Sequence, residues 1–200
     1  LLYPRLAWQN IKGDRRFFAP YFLALLGNVA AFYIMTALAV DPGMSQLHGA
    51  MYVQSFCFMG MFIAAVFSAV FLLYVNGFLM KQRKKALGLY NILGMGKSHI
   101  AAVLFFETLF VGGAGIVCGL LTGLLFHKLV TLALYRILHL DVPFGFTIQP
   151  QAVFTTLVLF GVILLLTLLH NLRRITFANP IALLHGENMG EREPKTRWIL

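Results

Sequence analysis

The residues that come nearest to a catalytic pattern are Gly94-Met95-Gly96-Lys97-Ser98, which match the last part of a phosphate-binding loop. That pattern needs another glycine five residues before Gly96, and the chain has Asn91 there. It also needs a preceding buried strand, whereas the apolar residues before this segment keep the spacing of a helix. The segment therefore does not predict nucleotide binding.

Other reactive side chains have no spacing that indicates a site. The six histidines are scattered without the intervals of metal ligands. Cys57 and Cys118 both lie in apolar stretches, where lone thiols are typical packing residues. No spacing suggests a Ser/His/Asp or Cys/His arrangement. The sequence thus predicts no catalytic, metal or cofactor site, and no enzyme activity in this chain.

Most of the chain is apolar, and its apolar stretches predict the helices that position the other residues. Of the 200 residues, 60% are hydrophobic and 12% are charged, about half the charged share of a soluble domain. Apolar stretches long enough to cross a bilayer predict helices at about 17–40, 51–80, 99–126 and 151–172. The predicted fold is an all-α integral membrane protein with four transmembrane helices, a cytoplasmic coupling loop and a short interfacial helix. This composition excludes a soluble enzyme, a disordered chain and a disulfide-stapled module.

The charge distribution predicts the orientation. The net charge is +9, and 14 of the 16 Lys and Arg residues fall on one side of the four predicted helices. By the positive-inside rule, residues 1–16, the loop 81–98 and residues 173–200 are expected to be cytoplasmic. The charge therefore reports topology and does not indicate nucleic-acid binding. The 17–172 region is the transmembrane part.

The segments outside the predicted helices carry three further expectations. Asn179 and Gly186 bracket a short helix at the cytoplasmic interface. The chain's last residues, 198–200, resemble the start of another hydrophobic helix, which predicts a piece of a longer permease. In the external segment 127–150, Lys128 and Arg136 flank an apolar run at 129–134 that predicts an amphipathic surface helix. Interfacial anchoring is the simpler interpretation of these two cations, and contact with an anionic lipid headgroup is the alternative.

Two features inside the third predicted helix need partners. Gly115, Gly119 and Gly123 recur every four residues, which indicates close approach of another helix, with a gap for substrate or lipid as the alternative. Glu107 is the one acid inside a predicted span. Burying its charge is costly, so it must be paired, protonated or turned to water. A role in conformational coupling and a structural hydrogen bond are both open.

The loop 81–98 carries the most information. Its basic start, residues 81–85, predicts a helix end anchored at the lipid headgroups, and the apolar residues after it imply a protein partner. Within it, Gly88, Leu89, Leu93, Gly94 and Met95 resemble the corresponding loop of FtsX/MacB-like permeases. Ala86 departs from that pattern, which usually has an acidic residue there. Residues 3–12 and 179–198 resemble BceB-type permeases of antimicrobial-peptide resistance transporters, so the resemblance covers nearly the whole chain.

The resemblance implies the permease subunit of an ABC transporter. Its partner would be a separate ATPase, as a dimer, often with a membrane histidine kinase beside it. Such transporters protect lipid-linked cell-wall precursors from peptide antibiotics such as bacitracin or lantibiotics. The residues expected to contact the ATPase are Gly88, Leu89, Tyr90, Leu93, Gly94 and Met95.

Two alternatives remain open. One is an FtsX-type permease that transmits force for division or lipoprotein handling without moving a solute. The other is a four-helix scaffold for a sensor kinase, with no transport role. Only about ten residues separate the first two predicted helices, too few for the large domain of lipoprotein and efflux relatives. This short connection favours the BceB-like interpretation.

Overall fold

The fold is a bundle of helices. The computed structural model describes residues 2–41, 50–92, 94–137 and 148–176. Those residues form no strand, which confirms the predicted all-α class. Six helices follow one another along the chain: α1 (Leu2–Gly13), α2 (Arg15–Ala39), α3 (Ala50–Gln82), α4 (Lys84–Ile92), α5 (Lys97–Ile137) and α6 (Pro150–Thr176).

Four of these helices, α2, α3, α5 and α6, are long and apolar enough to cross a membrane. A hydrocarbon core of about 30 Å needs about 20 helical residues, and each of the four exceeds that length. The four predicted transmembrane helices are therefore confirmed. The last of them continues to Thr176, past its predicted end at residue 172.

The third spanning helix is longer than predicted. α5 contains 41 residues, which corresponds to about 62 Å of helix. The expectation of a helix end at residue 126, with a separate surface helix at 129–134, is wrong. The chain has neither glycine nor proline between Gly123 and Ile137. Its inward residues His127, Thr131 and Tyr135 recur every four positions and are buried, so α5 continues unbroken along the bundle.

α2 lies at the centre of the bundle. Within its most apolar window 44% of the residues are buried, against 11% for α3, whose side chains mostly face outward. The main core cluster joins α2 to α3, α5 and α6 through Leu25, Val29, Phe32, Leu72, Ile116, Phe160 and Ile163. Phe32 and Phe160 meet edge to face, with their ring centroids 5.9 Å apart. The core therefore orders the other spanning helices around α2.

The glycine stripe of α5 lies against α2. A Cβ atom added at Gly119 would lie 2.6 Å from the Cβ atom of Val29 and 3.0 Å from the carbonyl oxygen of Leu26. One added at Gly123 would lie 3.1 Å from the Cα atom of Ala30. The two backbones thus approach more closely than any side chain would allow. This geometry fits the interpretation of the stripe as a packing surface rather than as a gap.

α1 was not anticipated, since residues 1–16 carried no prediction beyond their location. It packs on α5: Ala7 is fully buried, and the Tyr3 hydroxyl lies 2.6 Å from Nδ1 of His99. Several predictions fall outside the described residues. They are the ATPase contact expected at Leu93, the part of the external segment at 138–147, the interfacial helix at 179–186 and the hydrophobic helix expected to start at 198–200.

Candidate functional site

The short helix α4 is joined directly to a spanning helix. α3 ends at Gln82 and α4 begins at Lys84, so Arg83 alone separates them. The Arg83 amide donates to the Leu79 carbonyl at 3.2 Å, and its carbonyl accepts from the Leu87 amide at 3.0 Å. These are the hydrogen bonds of a continuing helix. α4 is therefore a nearly continuous extension of α3, with one residue between them.

The other end of α4 is closed by a glycine turn. Gly94 has a φ of +86°, a left-handed conformation that costs a residue with a Cβ atom about 1–2 kcal/mol. The Met95 amide donates to the Tyr90 carbonyl at 3.0 Å, which is the six-residue hydrogen bond of a Schellman cap. α5 then begins at Lys97. The left-handed conformation explains why the coupling-loop motif has a glycine at position 94, where α4 ends and the chain turns into α5.

We expect Gly94→Ala to destabilise the end of α4 by about 1–2 kcal/mol, because alanine resists the left-handed conformation. Gly96→Ala is the matched control, since a Cβ atom there meets nothing closer than Cδ2 of His99, at 3.6 Å. Amide hydrogen exchange across residues 84–95 measures the effect. Equal exchange rates in the two variants would show that the turn does not depend on glycine.

One face of α4 packs on the bundle. Leu87 is buried against Met80, Ile100 and Leu104, and Tyr90 and Met95 pack on this cluster while partly buried. Leu89 points away, with 53% of its surface exposed. Among the residues expected to contact an ATPase, Gly88 is buried and Gly94 is exposed, and Leu93 lies outside the described residues. The structure thus leaves Leu89 as an apolar side chain of α4 available to a partner.

Arg83 forms a buried ion pair with Glu107. The Arg83 Nη2 atom donates to Glu107 Oε1 at 2.8 Å, and Nη1 donates to Oε2. Each side chain has 2% of its surface exposed. The guanidinium lies over the ring of Phe18, with its carbon 4.8 Å from the ring centroid. Its Nε atom is 3.5 Å from Oδ2 of Asp14. The pair is two-pronged, which is the strong geometry of arginine with carboxylate.

Asn10 extends this pair to α1 and α4. Its Nδ2 atom donates to Glu107 Oε1 at 2.8 Å, and its Oδ1 atom accepts from the Tyr90 hydroxyl, also at 2.8 Å. We call Asn10, Asp14, Arg83, Tyr90 and Glu107 the Arg83 cluster. It ties α1, α4 and α5 together at the point where α3 ends.

The expectation that Arg83 sits among the lipid headgroups is wrong, because Glu107 needs a partner and draws the guanidinium inside. Burial lowers the pKa of Arg83, but the hydrogen bonds that Arg83 donates to Glu107 and the charges of Glu107 and Asp14 outweigh it and raise this pKa above its ordinary value. Glu107 is thus paired, one of the three predicted outcomes. Asn10 and Asp14 were the available signal for the cluster, since two polar residues four positions apart are one helical turn from each other.

Hydrogen bonds of buried asparagine side chains also join the spanning helices away from the Arg83 cluster. Asn76 of α3 and Asn171 of α6 exchange hydrogen bonds of 2.8 and 3.2 Å and are both buried. Ser68 donates to Asn28 Oδ1 at 3.0 Å between α3 and α2. Such contacts between transmembrane helices are worth about 0.6–2 kcal/mol each. They fix how α3 sits against its neighbours, and the sequence analysis did not single them out.

Other candidate residues lie apart from the Arg83 cluster. Lys128 and Arg136 lie toward the opposite end of α5, where Lys128 is partly buried and Arg136 is exposed. In the part of the chain that the structure describes, no three or more His, Cys, Asp or Glu side chains form a group that could hold a metal ion. The candidate site therefore consists of the short helix α4 and the buried Arg83–Glu107 ion pair.

Comparison with known proteins agrees with this architecture. Residues 58–180 match the family model for the FtsX-like permease C-terminal region. An uncharacterized ABC transporter permease of Bacillus subtilis, YvcS, is 29% identical over 82% of this chain and 26% of its own length. The bacitracin export permease protein BceB of Halalkalibacterium halodurans is 26% identical over 95% of this chain and 29% of its own length.

The Bacillus subtilis bacitracin export permease protein BceB is also 26% identical, over 84% of this chain. The chain spans between 26% and 29% of the length of these three relatives. The family match covers more than half of the chain and includes most of α3 and all of α4, α5 and α6. The resemblance seen in the coupling-loop residues is thereby confirmed, and the chain belongs to the FtsX-like permease family.

Proposed function

We propose that this chain is part of the permease subunit of an ABC transporter, and that α4 receives the movement of a separate ATPase dimer. The observation that carries this proposal is the short helix α4 itself. It has an exposed apolar residue, Leu89, and it begins next to the buried Arg83–Glu107 ion pair. Leu89 lies outside the spanning segments, so a protein partner rather than lipid tails would cover it. An ABC transporter permease among the relatives supports an ATPase as that partner.

The contacts around α4 explain how movement would be passed on. Its first residue follows α3 with one residue between them, and its glycine turn leads into α5. Arg83, just before α4, binds Glu107, and Tyr90, near the end of α4, binds Asn10. Because packed interiors deform little, a push on Leu89 moves α1, α3 and α5 together. The spanning helices then carry the displacement to the other end of the bundle.

We further propose that the transporter confers resistance to a peptide antibiotic of the bacitracin or lantibiotic class. Support comes from two relatives named bacitracin export permeases and from the BceB-like segments at 3–12 and 179–198. The proposed partners then include the peptide, its lipid-linked cell-wall precursor and a membrane histidine kinase. A force-transmitting permease without a solute and a kinase scaffold are the alternative functions. Only the antibiotic proposal predicts a change in peptide sensitivity.

Leu89→Asp should weaken capture of the cognate ATPase tenfold or more, because a truncated apolar anchor costs about 1–3 kcal/mol and the aspartate adds a charge to the contact. Leu2→Asp is the matched control, since Leu2 is 68% exposed and also lies outside the spanning segments. The measurement is a pull-down of the ATPase with the full-length permease from detergent.

The same two variants test resistance in cells that express the full-length permease with its ATPase. The native pair should raise the minimal inhibitory concentration of bacitracin, and Leu89→Asp should remove that increase while Leu2→Asp keeps it. Undiminished ATPase capture by a well-expressed Leu89→Asp variant would exclude α4 as the coupling helix. Capture that depends on Leu89 without any change in peptide sensitivity would favour the force-transmitting alternative.

We propose that α4 and both ends of this chain face the cytoplasm, on the basis of the division of Lys and Arg residues along the chain. Single cysteines at Gln46 and Gln82, in a background without Cys57 and Cys118, test this orientation. A membrane-impermeant thiol reagent added to intact cells should label position 46 only. Labelling at position 82 would reverse the orientation and remove α4 from reach of an ATPase.

A further inference from the structure

We propose that a groove between α1, α2 and α5 binds one anionic phospholipid, with the phosphate at Arg15 and an acyl chain along the groove. The groove encloses about 280 Å³ and is walled almost entirely by apolar side chains, among them Trp8, Phe22, Phe110 and Ala114. That is far more space than a water molecule needs. Trp8 is 61% exposed, so the groove opens on the outer surface of the bundle.

The groove runs from the edge of a membrane span inward. The spanning segment of α2 begins at Arg15, and Arg15, Ala19 and Phe22 all line the groove. Ala19 and Phe22 lie one and two helical turns deeper than Arg15. A cation therefore stands at the membrane surface and apolar walls follow it toward the interior, which is the polarity of a phospholipid. Trp8 at the rim is a residue typical of the interface.

Charge around the rim favours an anionic headgroup. Lys12, Arg15 and Arg16 are exposed. Asp14, the one acid between residues 10 and 20, has its carboxylate 3.5 Å from Nε of Arg83. Among the described residues, Arg15 forms no ion pair with a carboxylate. Phosphate is a preferred partner of arginine, and basic residues near the membrane surface are attracted to anionic lipids.

The lipid would also adjoin the Arg83 cluster. Phe18 lines the groove and carries the Arg83 guanidinium over its ring. Ile11 lines the same groove, one residue after Asn10. An acyl chain in the groove therefore packs α1 against α2 and α5 beside the site where Asn10 binds Glu107. This role is independent of any ATPase and does not rest on the proposed transport function.

Native mass spectrometry of the full-length protein tests the proposal, with dioleoyl phosphatidylglycerol and dioleoyl phosphatidylcholine titrated separately after delipidation. The first phosphatidylglycerol should bind with at least tenfold lower Kd than phosphatidylcholine. Arg15→Gln should abolish this preference, and Arg173→Gln, at an exposed arginine of α6, should preserve it. Ala114→Leu should weaken both lipids about tenfold by filling the groove, whereas Ala133→Leu, also exposed on α5, should not.

Three results would overturn the proposal. Equal affinity for the two lipids excludes an anionic site. A preference that survives Arg15→Gln, or affinities unchanged by Ala114→Leu, places the bound lipid elsewhere. Absence of a saturable lipid adduct excludes a lipid site in the groove. Ala19→Leu provides a second groove-filling variant if Ala114→Leu fails to purify as a monodisperse protein.

Discussion

Arg83→Ala is expected to lower the free energy of unfolding by about 3–5 kcal/mol, because it leaves the Glu107 carboxylate buried without its partner. Glu107→Ala should have an effect of similar size, since it strands the guanidinium, which has 2% of its surface exposed. Unfolding in mixed detergent micelles measures the loss. Arg173→Ala, at an exposed arginine, is the control and should change stability by less than about 0.5 kcal/mol.

The paired replacement Arg83→Met with Glu107→Leu should recover most of the stability that either single variant loses. Removing both charges together ends the desolvation cost, and buried pairs replaced by apolar side chains of similar size are often as stable as the original. A single Arg83→Ala variant as stable as the native protein would mean that the ion pair is not formed in the folded protein.

Gly119→Leu is expected to destabilise the bundle by about 3 kcal/mol or more, at or above the usual cost of overpacking a core. A Cβ atom alone would lie 2.6 Å from Cβ of Val29 and 3.0 Å from the backbone carbonyl of Leu26. A leucine must therefore push α2 and α5 apart along their contact. The yield of monodisperse protein and its unfolding in mixed micelles are the measurements.

Gly113→Leu is the matched control for that change. It lies on the same helix, and a Cβ atom there meets nothing within 4 Å. Since glycine is a poor helix former, this variant should be at least as stable as the native protein. If Gly119→Leu behaved like Gly113→Leu, the two helices would not pack through the glycine stripe.

The spanning helices could be predicted from the sequence because length and hydropathy determine them almost alone. The glycine stripe was also visible, since a four-residue interval places its members on one helix face. Arg83 shows where such reasoning stops. It lies in a basic block, and local sequence gives it the same environment as its neighbours. Its burial depends on Glu107, 24 positions away, and no local pattern encodes that pairing.

The limits of α4 and α5 depended on contacts between distant residues as well. Local polarity at Lys128 suggested the end of a span. Instead, the His127 ring packs against Tyr33 of α2 and the Tyr135 hydroxyl donates to Asp41, so contacts with the rest of the bundle continue along α5. In the coupling loop, the sequence does not distinguish the apolar residues that face a partner from those that pack on the bundle. Packing on Ile100 and Leu104 turns Tyr90 and Met95 inward and leaves Leu89 exposed.

Transmission from α4 to the far end of the bundle is tested most directly by pulsed EPR on the full-length permease bound to its ATPase. Spin labels replace Met51 and Ile137, which are exposed at the ends of α3 and α5 remote from α4, in a background without Cys57 and Cys118. With Arg83 and Glu107 present, trapping ATP with vanadate should shift the distance between the labels. In the Arg83→Met, Glu107→Leu variant, which keeps Leu89, the ATPase should still bind and the distance should stay unchanged. The same nucleotide-dependent shift in both proteins, or no shift in either, would contradict transmission through the ion pair.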